Sequence, residues 1–251
     1  MRTRIGRMVL FCLTVSLVGI VPCTAQQTTG QEKKPAEPAK QNDRKPGKDR
    51  WPVKTASDAD AGEVNRKPTK TTVEKLLAMQ RPIDLPVGET PEHYQNHRAR
   101  PAETSVWTVE ADVVDCRLMP DGDYRVTIRG ASGKTLVLEM PKPEPEFVDP
   151  NSPFFKEIKA AREQFDSKTK PESTQKPLAL HARITGIGFW ARKWNRNAAA
   201  NPSASPSPTP TPSTPENLIQ LHPVLKLEWL DKPTKEFTTV EKKEADTTKR
   251  K

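Results

Sequence analysis

The stretch Val106–Arg129, VWTVEADVVDCRLMPDGDYRVTIR, alternates apolar and polar residues on both sides of a turn sequence. That period of two commits this part of the chain to β structure. Trp107, Val109, Ala111 and Val113 share one face, with Thr108, Glu110 and Asp112 on the other. The phase slips at Val113-Val114, after which Val114, Cys116 and Leu118 carry the apolar set, as a β-bulge requires. Pro120-Asp121-Gly122-Asp123 supplies the turn, since Gly accepts a positive φ without steric cost. On the return, Tyr124, Val126 and Ile128 oppose Arg125, Thr127 and Arg129. A lone hairpin is marginal in water, so further strands must follow. A long, bent first strand suits a small closed barrel.

Further elements follow in order. Thr71-Thr72-Val73-Glu74 matches a capping box with Thr71 as N-cap, opening a short helix that ends before Pro82. Residues 83–101 read as a loop; His93 and His97 within it have the spacing of a helical metal pair, but no third ligand is evident. After the hairpin, Leu136, Leu138 and Met140 alternate in a third strand. Ser152-Pro153 predicts a helix start, and Phe154, Ile158, Ala161 and Phe165 keep helical spacing. Leu180–Trp190 is a fourth strand, in which Gly186 and Gly188 mark a bend or a tight packing point. Leu218–Leu230 is the last, interrupted at Pro223 by a bulge or an edge. The expected fold class is mainly β with one inserted helix: a five-stranded OB-like barrel, β-β-β-α-β-β, over residues 104–230.

The flanks read differently. Arg2, Arg4 and Arg7 precede the apolar run Met8–Val21, and Thr24-Ala25 offers small residues for cleavage. Residues 1–25 therefore read as a signal peptide cut after Ala25, and the run is too short for a span of about 20 residues. Pro22 before Cys23 fits a lipoprotein signal poorly. The expected location is exported: periplasmic, cell-surface or extracellular. Residues 26–70, rich in Lys and Pro, read as a disordered linker, 71–103 as a short helix and loop, 196–216 as a mobile Pro/Ser/Thr insertion, and 231–251 as a charged tail. The formal charge of +9 resides in the leader and flanks, because residues 71–230 balance 20 basic against 20 acidic side chains. Nucleic acid is therefore not an expected partner of the core.

The segments DGDYRVTIRGASGKTLVLEMPKPE, SPFFKEIKAAREQF, ARITGIGFW and LIQLHPVLKLEWL, spread over about Lys67 to Leu230, resemble a group of uncharacterised secreted bacterial proteins. In that group a "DGDYH" hairpin and a closing "ELHPV" strand recur, and the resemblance implies no known activity. Arg125 stands where the group has His, and the Pro/Ser/Thr insertion replaces a short connection. A more distant similarity links Asp121, Asp123 and Arg183 to the motifs of staphylococcal-nuclease-like barrels. That pattern also needs a carboxylate after Gly-Ile and a general-base Glu soon afterwards; here Gly188 is followed by Phe189, and no Glu comes before Glu216.

The candidate binding residues form three sets. Arg125, Arg129 and Arg183 either line an anion-binding face or are solvated; His222 is either a proton donor or a structural histidine. Phe189, Trp190 and Trp194 with Arg192, Lys193 and Arg196 make an aromatic–basic cluster suited to an acidic polymer, a glycan or a protein partner. No catalytic set, metal site or cofactor motif is complete. The expected function is a non-catalytic binding or envelope-associated module. A degenerate nuclease or phosphodiesterase and a passive surface protein are the alternatives.

Each doubling of a loop adds only about 0.6 kcal/mol of closure entropy. Replacing residues 198–214 by a short Gly-Ser turn should therefore leave the thermal midpoint unchanged or slightly raised. Unfolding of that deletion variant would make the segment part of the core.

Overall fold

The computed structural model describes residues 46–192 and 218–231. The expected signal peptide, residues 26–45, the whole 196–216 insertion and the tail beyond Asp231 lie outside these residues. The chain is mainly β. Among the described residues, six strands form one sheet: β1 (Asn65–Lys70), β2 (Ser105–Leu118), β3 (Tyr124–Arg129), β4 (Thr135–Met140), β5 (Lys176–Trp190) and β6 (Ile219–Leu230). The α-helices among these residues are α1 (Trp51–Lys54), α2 (Val73–Leu77) and α3 (Phe155–Asp166). No helix among the described residues is long and apolar enough to cross a membrane.

The sheet order is β1-β2-β3-β4-β6-β5, and β2 also pairs with β5. The pairing path from β2 through β3, β4, β6 and β5 therefore returns to β2. The β2–β3 turn is closed at Gly122, whose φ is 89°, and the β3–β4 turn at Gly133, whose φ is 83°. The expected phase slip is present: the pairing of β2 with both β3 and β5 shifts between Val113 and Asp115. In β6 the register against β5 shifts around Pro223, which is the bulge expected there. Gly188 is a tight packing point, because a Cβ on it would overlap the carbonyl of Ala102. The main core contains Val109, Val126, Leu138 and Ile184 from the strands and Phe165 from α3. Cys116 is buried within it, and burial pushes its thiol up to about 11, so it packs as a small hydrophobe.

Both expected caps shift. The Thr71 amide donates to the Thr108 carbonyl, 2.9 Å away, and so continues the pairing beside β2. The N-cap passes to Thr72, whose hydroxyl accepts from the Lys75 amide. Glu74 reaches across to Ser132, accepting from its amide and its hydroxyl. The Ser152 hydroxyl donates to the carbonyl of Ala56 at 2.6 Å and accepts from the Phe154 amide at 3.3 Å, and α3 starts at Phe155 rather than at Pro153.

The larger correction concerns the expected linker. Residues 46–70 are packed: they supply α1 and the parallel strand β1, and they bury Val53 and Ala56. Val64 and Ala56 join a second apolar cluster with Val148, Phe154 and Ile158. Two of the charges that suggested a solvated segment, Arg50 and Asp58, are paired internally, while β1 stays exposed. The Arg50 guanidinium grips both oxygens of Glu103 at 2.7 Å, with both side chains essentially inaccessible. It also donates to the carbonyls of Tyr94 and Trp190. Arg98 holds Asp58 in a second buried pair at 2.6 Å.

Removing one partner of such a pair strands a charge in a low-dielectric interior, at a cost of about 3–5 kcal/mol. Arg50→Ala should show a loss of that order in urea unfolding, whereas the full chain with Lys48→Ala should not. A loss below about 1 kcal/mol for Arg50→Ala would mean that the N-terminal segment does not hold the sheet.

Candidate functional site

Among the described residues, Asp123, Glu139 and His222 come together where the β2–β3 turn, β4 and β6 meet. Asp123 ends the turn; its amide donates to Asp121 Oδ1, and its carbonyl accepts from the Met119 amide. Glu139 points away from the face that buries Leu138 and Met140, and it lies opposite Arg125 in the β3–β4 register. β6 runs parallel to β4, with Leu138 beside Leu221, which sets His222 next to Glu139. His222 Nδ1 is 3.1 Å from Glu139 Oε2, and Nε2 is 3.4 Å from Asp123 Oδ2. These are ion-pair distances, but neither ring nitrogen is aligned to donate a hydrogen bond. The Phe189 ring stands edge-on to the imidazole at 5.4 Å.

The electrostatics follow from this enclosure. Burial alone would push the His222 imidazole down, but Asp123 and Glu139 on its two sides outweigh it and raise its pKa. Burial alone would likewise raise Glu139, but contact with His222 and the charges of Arg125 and Lys54 hold it well below the usual carboxylate range. Asp121 moves the other way, raised by burial and then by the negative charges of Asp123 and Glu139. The cluster is thus a buried histidine between two carboxylates, with a third carboxyl group beside it.

The residues expected to bind do not converge. Arg125 is ion-paired with Glu139 at 3.6 Å. Arg129 is exposed at the end of β3. Arg183 is held in β5 by Glu110 at 2.7 Å and by Glu228 at 3.4 Å, and these contacts raise its pKa, Glu110 foremost. Arg125 and Arg183 are therefore engaged by carboxylates of the sheet itself. Phe189 and Trp190 are buried, so they offer no stacking surface. Trp190 is locked through its backbone, its amide to Glu103 and its carbonyl to Arg50. Arg192 is exposed, and Lys193, Trp194 and Arg196 lie outside the described residues.

His93 and His97 are not a helical pair. A short 3-10 helix, Glu92–Gln95, leaves their rings stacked at 4.4 Å, and His97 Nδ1 is 3.1 Å from both oxygens of Asp60. They line an open cleft of about 500 Å³ with Tyr94, Asp84 and Arg100.

Sequence reasoning placed Asp123 in a turn and weighed His222 alone, and it did not single out Glu139. The signal was indirect: an acid within LVLEMP and a His-Pro pair in an apolar strand, joined only by the β4–β6 register. No family model and no curated protein matches this chain, so the cluster is interpreted from its own geometry.

Burial decides the expected effect at Trp190. Deleting a fully buried Trp side chain costs about 3–5 kcal/mol, whereas an exposed surface change stays within about 0.5 kcal/mol. Trp190→Ala should therefore unfold at clearly lower denaturant than wild type, and Arg129→Ala should overlay it. Equal midpoints for the two variants would place Trp190 at the surface.

Proposed function

We propose that this chain is an exported, non-catalytic OB-like binding or envelope-associated module. The observation that carries the reading is the antiparallel pairing of β2 with β5 from Val106–Ile187 to Cys116–Lys176, which closes the strand path β2-β3-β4-β6-β5. In chain order α3 lies between β4 and β5, the third and fourth of those five strands, which is the order expected of a five-stranded OB barrel. The 193–217 segment then occupies the connection between the fourth and fifth strands, one of the two loops such barrels use for binding.

The nuclease alternative needs an arginine and carboxylates that face a substrate together. Arg183 is instead engaged by Glu110 and Glu228, and Asp123 is 1% exposed. Both observations favour the binding reading. Partners of the expected classes, an acidic polymer, a glycan or a protein, would meet the outer surface and the loops.

Fractionation of a bacterial host expressing the full chain tests the reading. A chain beginning at Gln26 should appear in the exported fraction, associate with the envelope and leave it as salt rises, since surface ion pairing is screened. Retention in the cytosol with the leader intact would overturn export. Metal-dependent turnover of nucleic acid that Arg183→Ala abolishes would overturn the non-catalytic assignment.

A further inference from the structure

We propose that Asp123, Glu139 and His222 form an internal binding site for one divalent cation, with zinc the best fit. Each residue offers one donor atom, and the three atoms lie within 4.8 Å of one another. A tetrahedral zinc ion bound at about 2.0–2.2 Å holds its donors roughly 3.3–3.6 Å apart, so the gap closes with about 1.5 Å of side-chain adjustment at most. Rotation of the two carboxylates and the imidazole supplies motion of that size.

The second observation is independent of spacing. Both carboxylate oxygens of Asp123 and both ring nitrogens of His222 are buried without a hydrogen-bond partner. Their side chains are 1% and 0% exposed. Buried polar atoms are paired in the great majority of cases. Buried carboxylate and imidazole atoms that meet at ion-pair distance without an aligned hydrogen bond are what a ligand set without its ion presents.

Charge points the same way. An ion bound to His222 takes the place of the ring proton, so the two carboxylates and the neutral imidazole then carry two negative charges, which a divalent cation cancels within the cluster. The flanking cations are Arg125, 3.6 Å from Glu139 on its far oxygen, Lys54 of α1, and Arg162 of α3, which donates to the Gly122 carbonyl and whose charge reaches Asp123. None of them is hydrogen-bonded to Asp123.

The donor chemistry selects the ion. One nitrogen and two carboxylates suit zinc, while thiolate-seeking ions lack a sulfur donor here. Calcium takes six to eight oxygens and magnesium a hydrated octahedron, and a site closed by Phe189 and the strands provides neither. The ligands come from the β2–β3 turn, β4 and β6, so a bound ion would tie three separate segments together. With His222 fully inaccessible, such a site is structural rather than catalytic.

The test uses the intact chain, stripped with chelator and then given Zn²⁺, with uptake read by native mass spectrometry and stability by thermal melting. The expected result is one tightly held ion per chain and a midpoint that Zn²⁺ raises and chelator lowers. Asp123→Asn, Glu139→Gln and His222→Gln should each lose the ion, with circular dichroism confirming that the variant is folded. His93→Ala/His97→Ala should keep it. If one ligand variant fails to fold, the remaining two and the wild-type response to chelator still decide. An ion-free wild type whose midpoint ignores both Zn²⁺ and chelator would overturn the proposal and leave the cluster as a proton-bridged imidazolium. Undiminished uptake in the folded ligand variants would overturn it too, by placing the ion elsewhere.

Discussion

The structure depends on β2 being hydrogen-bonded along both edges. One edge carries β1 over its first residues and β3 over its last, while the other carries β5 along nearly its whole length. A straight 14-residue strand would extend past a small core. The register shift between Val113 and Asp115 adds local twist, so the strand can bend around that core. Val109, Ala111 and Val113 precede the shift and Cys116 follows it, and all four are buried. The bulge therefore keeps the apolar face inward where strict alternation would have turned it out.

This constraint was legible because it is local. The slip at Val113-Val114, the Asp-Gly turn and the interruption at Pro223 each lie within a few residues, and each has a steric cause independent of the rest of the chain. The N-terminal segment was illegible for the opposite reason. Arg50 and Glu103 are 53 positions apart, and Arg98 and Asp58 are 40 apart. Composition counts each as a solvated charge, although each pair is hydrogen-bonded inside the fold. A segment rich in Lys and Pro was thus judged unable to bury apolar surface. It buries little, Val53 and Ala56 chiefly, and is held mainly by forked arginine contacts.

The Asp123–Glu139–His222 cluster has the same origin. Its members come from a turn and two strands whose parallel pairing joins residues more than 80 positions apart. Alternation in β4 assigns Glu139 to the face opposite Leu138, and a sequence reading takes that face for solvent. It is not solvent, because His222 of β6 and the residues around Lys54 come close to it. A polar residue on the outer face of a strand is exposed only if nothing packs on that face, and here the covering segment was the one taken for a linker.

The aromatic–basic cluster divides for a related physical reason. Trp190 pairs with Ile219, and the Ala191 amide donates to the Leu218 carbonyl, so the two strands that flank residues 193–217 are joined up to their ends. Arg50 and Glu103 fasten the Trp190 backbone from the other side. The base of the insertion is therefore fixed by hydrogen bonds that do not involve the insertion itself. A long connection adds only a logarithmic entropic term once its ends are held. A low-complexity segment can thus be carried there while the fold stays intact. The boundary between structural and solvent-facing residues falls just after Trp190, inside what the sequence presents as one aromatic–basic patch. Phe189 and Trp190 belong to the interior, and Arg192 is the first of that patch to reach solvent.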